Sequence, residues 1–149
     1  MPLSQTIREC MIPIANYATI APDATLREAA IALRSTFRTL EDGMQTQVGP
    51  RTVLVTDAND RLVGILDFMC FLQNYFPRIG GLPEQLVVKD IMLNVVGGVE
   101  ADASMEDGFK TAIQKKVTVL PVYEGDKAVG LLRDTDIFLA ITDRLAEES

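Results

Sequence analysis

The feature that most constrains this chain is that it repeats itself. Ile7-Arg8-Glu9-Cys10-Met11 matches Val88-Lys89-Asp90-Ile91-Met92: an apolar residue, two polar ones with the acid second, another apolar residue, then Met. Asp23-Ala24-Thr25-Leu26-Arg27-Glu28 matches Asp102-Ala103-Ser104-Met105-Glu106-Asp107, and Val53 to Leu66 matches Val119 to Leu132. The offsets are 81, 79 and 66 residues, so the blocks keep their order and the slip falls between them. Such order indicates duplication of one supersecondary unit. A unit of roughly 60 residues buries too little surface to be secure alone, so the two are expected to pack on each other.

Each repeat reads in the same element order. Thr25 and Ser104 stand as N-caps with an acid three residues on, a capping box and its aspartate variant. Leu26, Ala29, Ala30 and Leu33, and likewise Met105, Phe109 and Ala112, follow helical spacing and predict one buried stripe per helix. Short β-rich runs at 52–56 and 62–66 flank one polar turn, and runs at 117–123 and 128–132 flank another; each pair predicts a hairpin. Phe68, Phe71, Leu72 and Tyr75, then Ile137, Ala140 and Ile141, mark closing helices, and leading strands are expected near Thr19-Ile20 and Gly98-Val99. The fold class is therefore α+β: two βαββα repeats packed as a pseudo-twofold pair. Repeat 1 spans 1–76, the Pro/Gly-rich stretch at 77–86 is a linker, and repeat 2 spans 87–149. The first repeat carries an insertion at 35–50, which reads as a longer helix or a flap.

Composition excludes several function classes. Fourteen Lys and Arg against 21 Asp and Glu give a net charge of −7, which repels phosphate backbones and anionic membranes, so no nucleic-acid partner is expected. Histidine is absent, which removes the usual general base, the Ser-His and Cys-His pairs and imidazole metal ligands together; no enzyme is expected. Cys10 and Cys70 form no CxxC and read as reduced thiols. The acids Glu100, Asp102, Glu106 and Asp107 read as an acidic helix start and not as a metal site. The N-terminus lacks the pattern of a signal peptide and no apolar run approaches the ~18 residues of a membrane span, so a cytoplasmic protein without membrane contact is expected.

Val88-Lys-Asp-Ile-Met92, Asp102-Ala-Ser-Met-Glu-Asp-Gly108, Leu120-Pro-Val122 and Val129-Gly-Leu-Leu-Arg-Asp-Thr-Asp-Ile137, in that order and with counterparts in the first repeat, resemble a tandem pair of cystathionine-β-synthase (CBS) domains, a Bateman module. The resemblance covers nearly the whole chain. It implies a non-catalytic regulatory module that requires no cofactor and binds an adenosyl ligand: AMP, ADP, ATP or S-adenosylmethionine. It also implies a homodimer and an unidentified regulated protein.

Carried onto this sequence, the resemblance puts the adenine between Val99 and Thr118, Val119, Leu120 and Pro121. It puts phosphate and ribose at Gly130, Arg133, Thr135 and Asp136. A carboxylate such as Asp136 suits a vicinal diol because it accepts one hydrogen bond from each hydroxyl. Arg133 stands where the family has Ser or Thr, and a guanidinium there can grip a phosphate in two places. Plainer readings exist for the same residues. Asp136 can be a first-turn acid at the positive end of a helix, and Leu120-Pro121 can be an interrupted edge strand. In the first repeat the matching positions are Asp67, Cys70 and Val55, which lack the diol acceptor and the proline, so that site is expected to be degenerate. The alternative to a ligand sensor is a constitutive dimerisation or scaffold module with vestigial sites.

Overall fold

The computed structural model describes residues 5–37, 51–75, 85–95 and 97–148. In chain order the elements are α1 (Ile7–Cys10), β1 (Ile12–Pro13), a 3-10 turn (Ile14–Asn16), β2 (Ala18–Ile20), α2 (Leu26–Ser35), β3 (Val53–Thr56), β4 (Leu62–Leu66) and α3 (Phe68–Tyr75). They continue with α4 (Val88–Ile91), β5 (Leu93–Asn94), β6 (Val99–Glu100), α5 (Met105–Lys115), β7 (Val119–Glu124), β8 (Lys127–Arg133) and α6 (Asp134–Glu148). The expected hairpins, paired helices and leading strands are all present, so the fold is mixed α+β. Residues 38–50 of the insertion and 77–84 of the linker lie outside the described residues; α2 ends at Ser35.

The chain forms two compact units that do not follow the repeat boundaries: Met1–Ala15 with Val96–Ser149, and Asn16–Val95. The first, discontinuous unit holds a sheet in the order β1-β8-β7-β6, and the second, continuous unit a sheet in the order β2-β3-β4-β5. In each, a central antiparallel hairpin is flanked by a parallel leading strand on one side and an antiparallel two-residue strand on the other. That last strand comes from the opening block of the other repeat.

The opening blocks dock by backbone bonds. Ile7 N donates to Ala103 O at 2.9 Å and Arg8 N to Ala101 O at 2.8 Å; Val88 N donates to Ala24 O at 2.9 Å and Lys89 N to Pro22 O at 2.8 Å. These four-residue helices are too short to persist alone. They are held by these bonds and by burial of Ile7 and Val88, both fully inaccessible. Glu9 and Asp90 accept from the backbone N–H of Thr6 and Val87 at 3.1 and 2.9 Å, which satisfies one orphan donor at each start.

Two cores result. Leu26, Ala29, Leu33, Val53, Val55, Leu66 and Val88 form one, and Ile7, Met105, Leu120, Val122, Leu132, Ile137 and Ala140 the other. Thr25 makes its capping box with Glu28 in full, and Ser104 accepts from Asp107 N at 3.1 Å. One expected core position turns out differently. The buried stripe of α5 runs through Met105 and Gly108, while Phe109 is 46% exposed. Gly108 lies under Leu132 and Ile7, where no side chain fits, so the packed side of α5 runs through the glycine and Phe109 faces outward.

Candidate functional site

Strand β8 runs straight into α6, and this junction sets the site. Arg133 ends the strand and Asp136 lies in the first turn of the helix. Asp136 Oδ2 accepts from Arg133 N at 2.8 Å and from Arg133 Nε at 3.2 Å, and Oδ1 accepts from Arg133 Nη2 at 2.8 Å. Among the described residues Asp136 is the one buried charged residue, 8% exposed, and the Arg133 side chain is 19% exposed. The carboxylate is stabilised by a charged fork and by the unsatisfied N–H groups of the helix start. The plain reading, a first-turn acid, therefore describes its local geometry.

The other expected residues distribute along the same sheet. Val119 is registered opposite Arg133, and Thr118 O accepts from Asp134 N at 2.8 Å, so the start of β7 and the start of α6 are tied together. Thr135 is exposed in the first turn of α6. Leu120 is 1% exposed within the core. Pro121 is buried opposite Leu131, and Val99 is half-buried opposite Val122. Strand β7 lies between β8 and β6, but at Leu120-Pro121 it is registered with β8 alone, so this stretch is an edge on its β6 side. The proline fits because it precedes the first registered pair with β6, at Val122. Gly130 pairs with Pro13 of β1 and with Val122. It is three residues from Arg133, about 10 Å along the strand. The structure thus brings Arg133, Asp136, Thr118 and Val119 to one end of the β7-β8 hairpin and leaves Gly130, Pro121 and Val99 further along it.

The first repeat has the same junction with the acid displaced. Asp67 precedes α3, and its Oδ1 accepts from Cys70 N at 3.0 Å. Cys70 occupies the position that matches Asp136, and burial pushes its thiol up to about 11. Val55, where the second repeat has proline, is fully buried. Each junction keeps one half of a capping box, from the cap residue in the first repeat and from the third helical residue in the second.

Among the described residues, cavities that went unread in the sequence include the following. An apolar groove of about 380 Å³ between α5 and α6 is lined by Phe109, Ile113, Val117, Thr118, Ile137 and Phe138 among others. Their outward position at core-like spacing was the available signal. A more polar hollow of about 630 Å³ in the continuous unit is lined by Thr19, Asp23, Thr56, Asp57 and Lys89 among others. At the matching place in the other unit, Arg8 is ion-paired to Asp102 at 3.1 Å and to Glu124. No cluster of three or more metal-ligating acids, cysteines or histidines occurs among the described residues. None of their helices is long and apolar enough to cross a membrane.

Comparison with known proteins places this geometry. The family model described as the CBS domain matches residues 88–143, a segment that contains both Arg133 and Asp136. Residues 88–143 are similar to the CBS domain. The fold of the whole chain is that of CBS-domain structures. One neighbour is the CBS domain of a bacterial CNNM/CorC family Mg2+ transporter in complex with ATP, at 19% identity and a TM-score of 0.71, covering 94% of this chain and 89% of that one. A second is CBSX2 in complex with AMP, at 21% identity and a TM-score of 0.63, covering 94% and 98%. The soluble part of a magnesium transporter matches with a TM-score of 0.65 at 20% identity; 95% of this chain is covered but only 49% of the transporter chain. No curated protein matches the chain by sequence.

Proposed function

We propose that this chain is a regulatory CBS pair that binds an adenosyl ligand, AMP, ADP, ATP or S-adenosylmethionine, without turning it over, mainly in the second repeat, and that occupancy controls a partner protein. The observation that carries this reading is Asp136, the one buried carboxylate among the described residues, at the place in the CBS domain where a ribose acceptor is expected. AMP and ATP are bound in two of the structural neighbours. The lack of any histidine in the chain, and the raising of both cysteine thiols by burial, support binding without catalysis. Occupancy can act on a partner only if the ligand has different affinities for two arrangements of the protein.

A scaffold with vestigial sites is the competing reading. It is favoured by Cys70 in the first repeat and by the complete engagement of Asp136 with Arg133 in the second. Titration calorimetry with AMP and ATP separates the two. The expected result is about one nucleotide per chain, weakened roughly ten- to a hundredfold by Asp136→Ala through loss of a charge-assisted bond. Absence of binding by every adenosyl compound leaves the scaffold reading. Two equal sites per chain, or an Asp136→Ala variant that binds like the parent, sinks the assignment to the second repeat.

A further inference from the structure

We infer that the polar hollow of the continuous unit, between the end of β2, the end of β3 and α4, is a second ligand site that takes a free basic amino acid of the arginine type. It lies on other residues than the adenosyl site and does not rest on that reading.

The two units carry different chemistry at this place. In the discontinuous unit the guanidinium of Arg8 is ion-paired to Asp102 and Glu124. The matching residues of the continuous unit are Lys89, Asp23 and Ala58, so the forked cation is replaced by a point charge and the hairpin acid by a methyl group. What remains there is a hollow of about 630 Å³, within the roughly 300–1,000 Å³ of small-molecule sites. Asp23, Asp57 and Lys89 line it together with the hydroxyl residues Thr19 and Thr56. Among the described residues these three charged groups form no ion pair, although they share one hollow.

Their arrangement selects the ligand. Lys89 N donates to Pro22 O at 2.8 Å, which anchors the lysine beside the acid that follows, Asp23. A cation and an anion set side by side complement the α-carboxylate and α-ammonium of an amino acid. Asp57 stands apart from them at the hairpin end of β3. Its Oδ1 accepts from Asn59 N at 2.9 Å and from Arg61 N at 3.0 Å, which fixes the carboxylate and leaves Oδ2 for a further donor. Two acids and one lysine sum to −1, which matches a ligand of net charge +1. A guanidinium on the side chain suits Asp57 because it offers several N–H groups in a rigid fork. An anion alone, such as phosphate, would find one cation and two repelling carboxylates.

The test is calorimetry of the full chain at fixed ionic strength with L-arginine, L-citrulline, which lacks the side-chain charge, agmatine, which lacks the carboxylate, and L-glutamate. The parent is compared with Lys89→Ala and with Asp57→Asn, which keeps the acceptor for the two backbone N–H groups. Melting curves confirm that each variant is folded. The parent should bind one L-arginine per chain, with L-citrulline about tenfold weaker, agmatine about three- to fivefold weaker and L-glutamate not bound. Asp57→Asn should weaken L-arginine about tenfold and L-citrulline hardly at all. Lys89→Ala should weaken both amino acids about three- to fivefold and leave agmatine unchanged or improved. No binding of L-arginine at roughly millimolar concentrations overturns the inference, as does equal binding of L-glutamate or of L-citrulline. L-arginine binding that both variants retain in full overturns it too, since the ligand then lies elsewhere on the acidic surface.

Discussion

Gly130 and Gly64 occupy matching positions in the two hairpins, and each has a methionine of the other repeat's opening block laid across it. A Cβ on Gly130 would sit 2.6 Å from Met11 Sδ and 2.7 Å from the carbonyl oxygen of Ile12; one on Gly64 would collide with Met92 Sδ. The methionine can bend away, but the Ile12 carbonyl belongs to β1 and cannot do so without shifting that strand. Gly130→Ala is therefore expected to destabilise the ligand-free protein by about 1–3 kcal/mol. The measurement is the urea midpoint, and an unchanged midpoint would show that β1 is not held against this glycine. The recurrence of both Met and Gly in each repeat was visible from the start. Nothing in their spacing said that they meet, because each contact joins one repeat to the other, Met11 to Gly130 and Met92 to Gly64.

At the scale of elements, the longer pieces were legible because each carries its own periodicity and punctuation. Thr25 with Glu28 and Ser104 with Asp107 mark the starts of α2 and α5, and the two polar turns separate the paired strands. The four-residue helices α1 and α4 and the two-residue strands β1 and β5 were not legible. They are too short to show a period and exist through their docking. Side-chain pairing at the start of α6 was readable in principle, since Arg133 and Asp136 are three apart across a strand-to-helix junction. How much depends on docking can be measured at Ile7, which is fully buried in the core of the discontinuous unit. Ile7→Ala removes those contacts and is expected to cost about 2–5 kcal/mol in equilibrium unfolding. A loss below about 1 kcal/mol would mean that the opening block contributes little to that core.

At the scale of the whole molecule, the amount of apolar surface left on the helices is the main datum. Ile113 is 57% exposed, Phe138 63% and Leu139 55%, and Phe109 joins Ile113 and Phe138 around the groove between α5 and α6. Contiguous apolar surface of this kind on a small acidic chain is usually covered by another protein surface. A second copy of this chain is the occupant expected from the sequence, through an isologous contact. Light scattering should give about twice the 16.3 kDa chain mass, and Phe138→Glu should return the protein to that mass. A parent chain that stays monomeric at tens of micromolar would remove the homodimer.

The interleaving of the two units also bears on how the chain assembles. Asn16–Val95 interrupts the other unit, so the two pieces of that unit must find each other across an intervening stretch of 80 residues. While that stretch is unfolded, its ends are separated by roughly 50 Å on average. Once folded, it begins near β2 and ends near β5, the opposite edges of a four-stranded sheet. That holds the ends about three strand spacings, or roughly 15 Å, apart. Folding of the continuous unit therefore shortens the gap that α1 and β1 must cross to pair with β8. Substitutions that unfold 16–95 are accordingly expected to weaken the pairing of β1 with β8 as well.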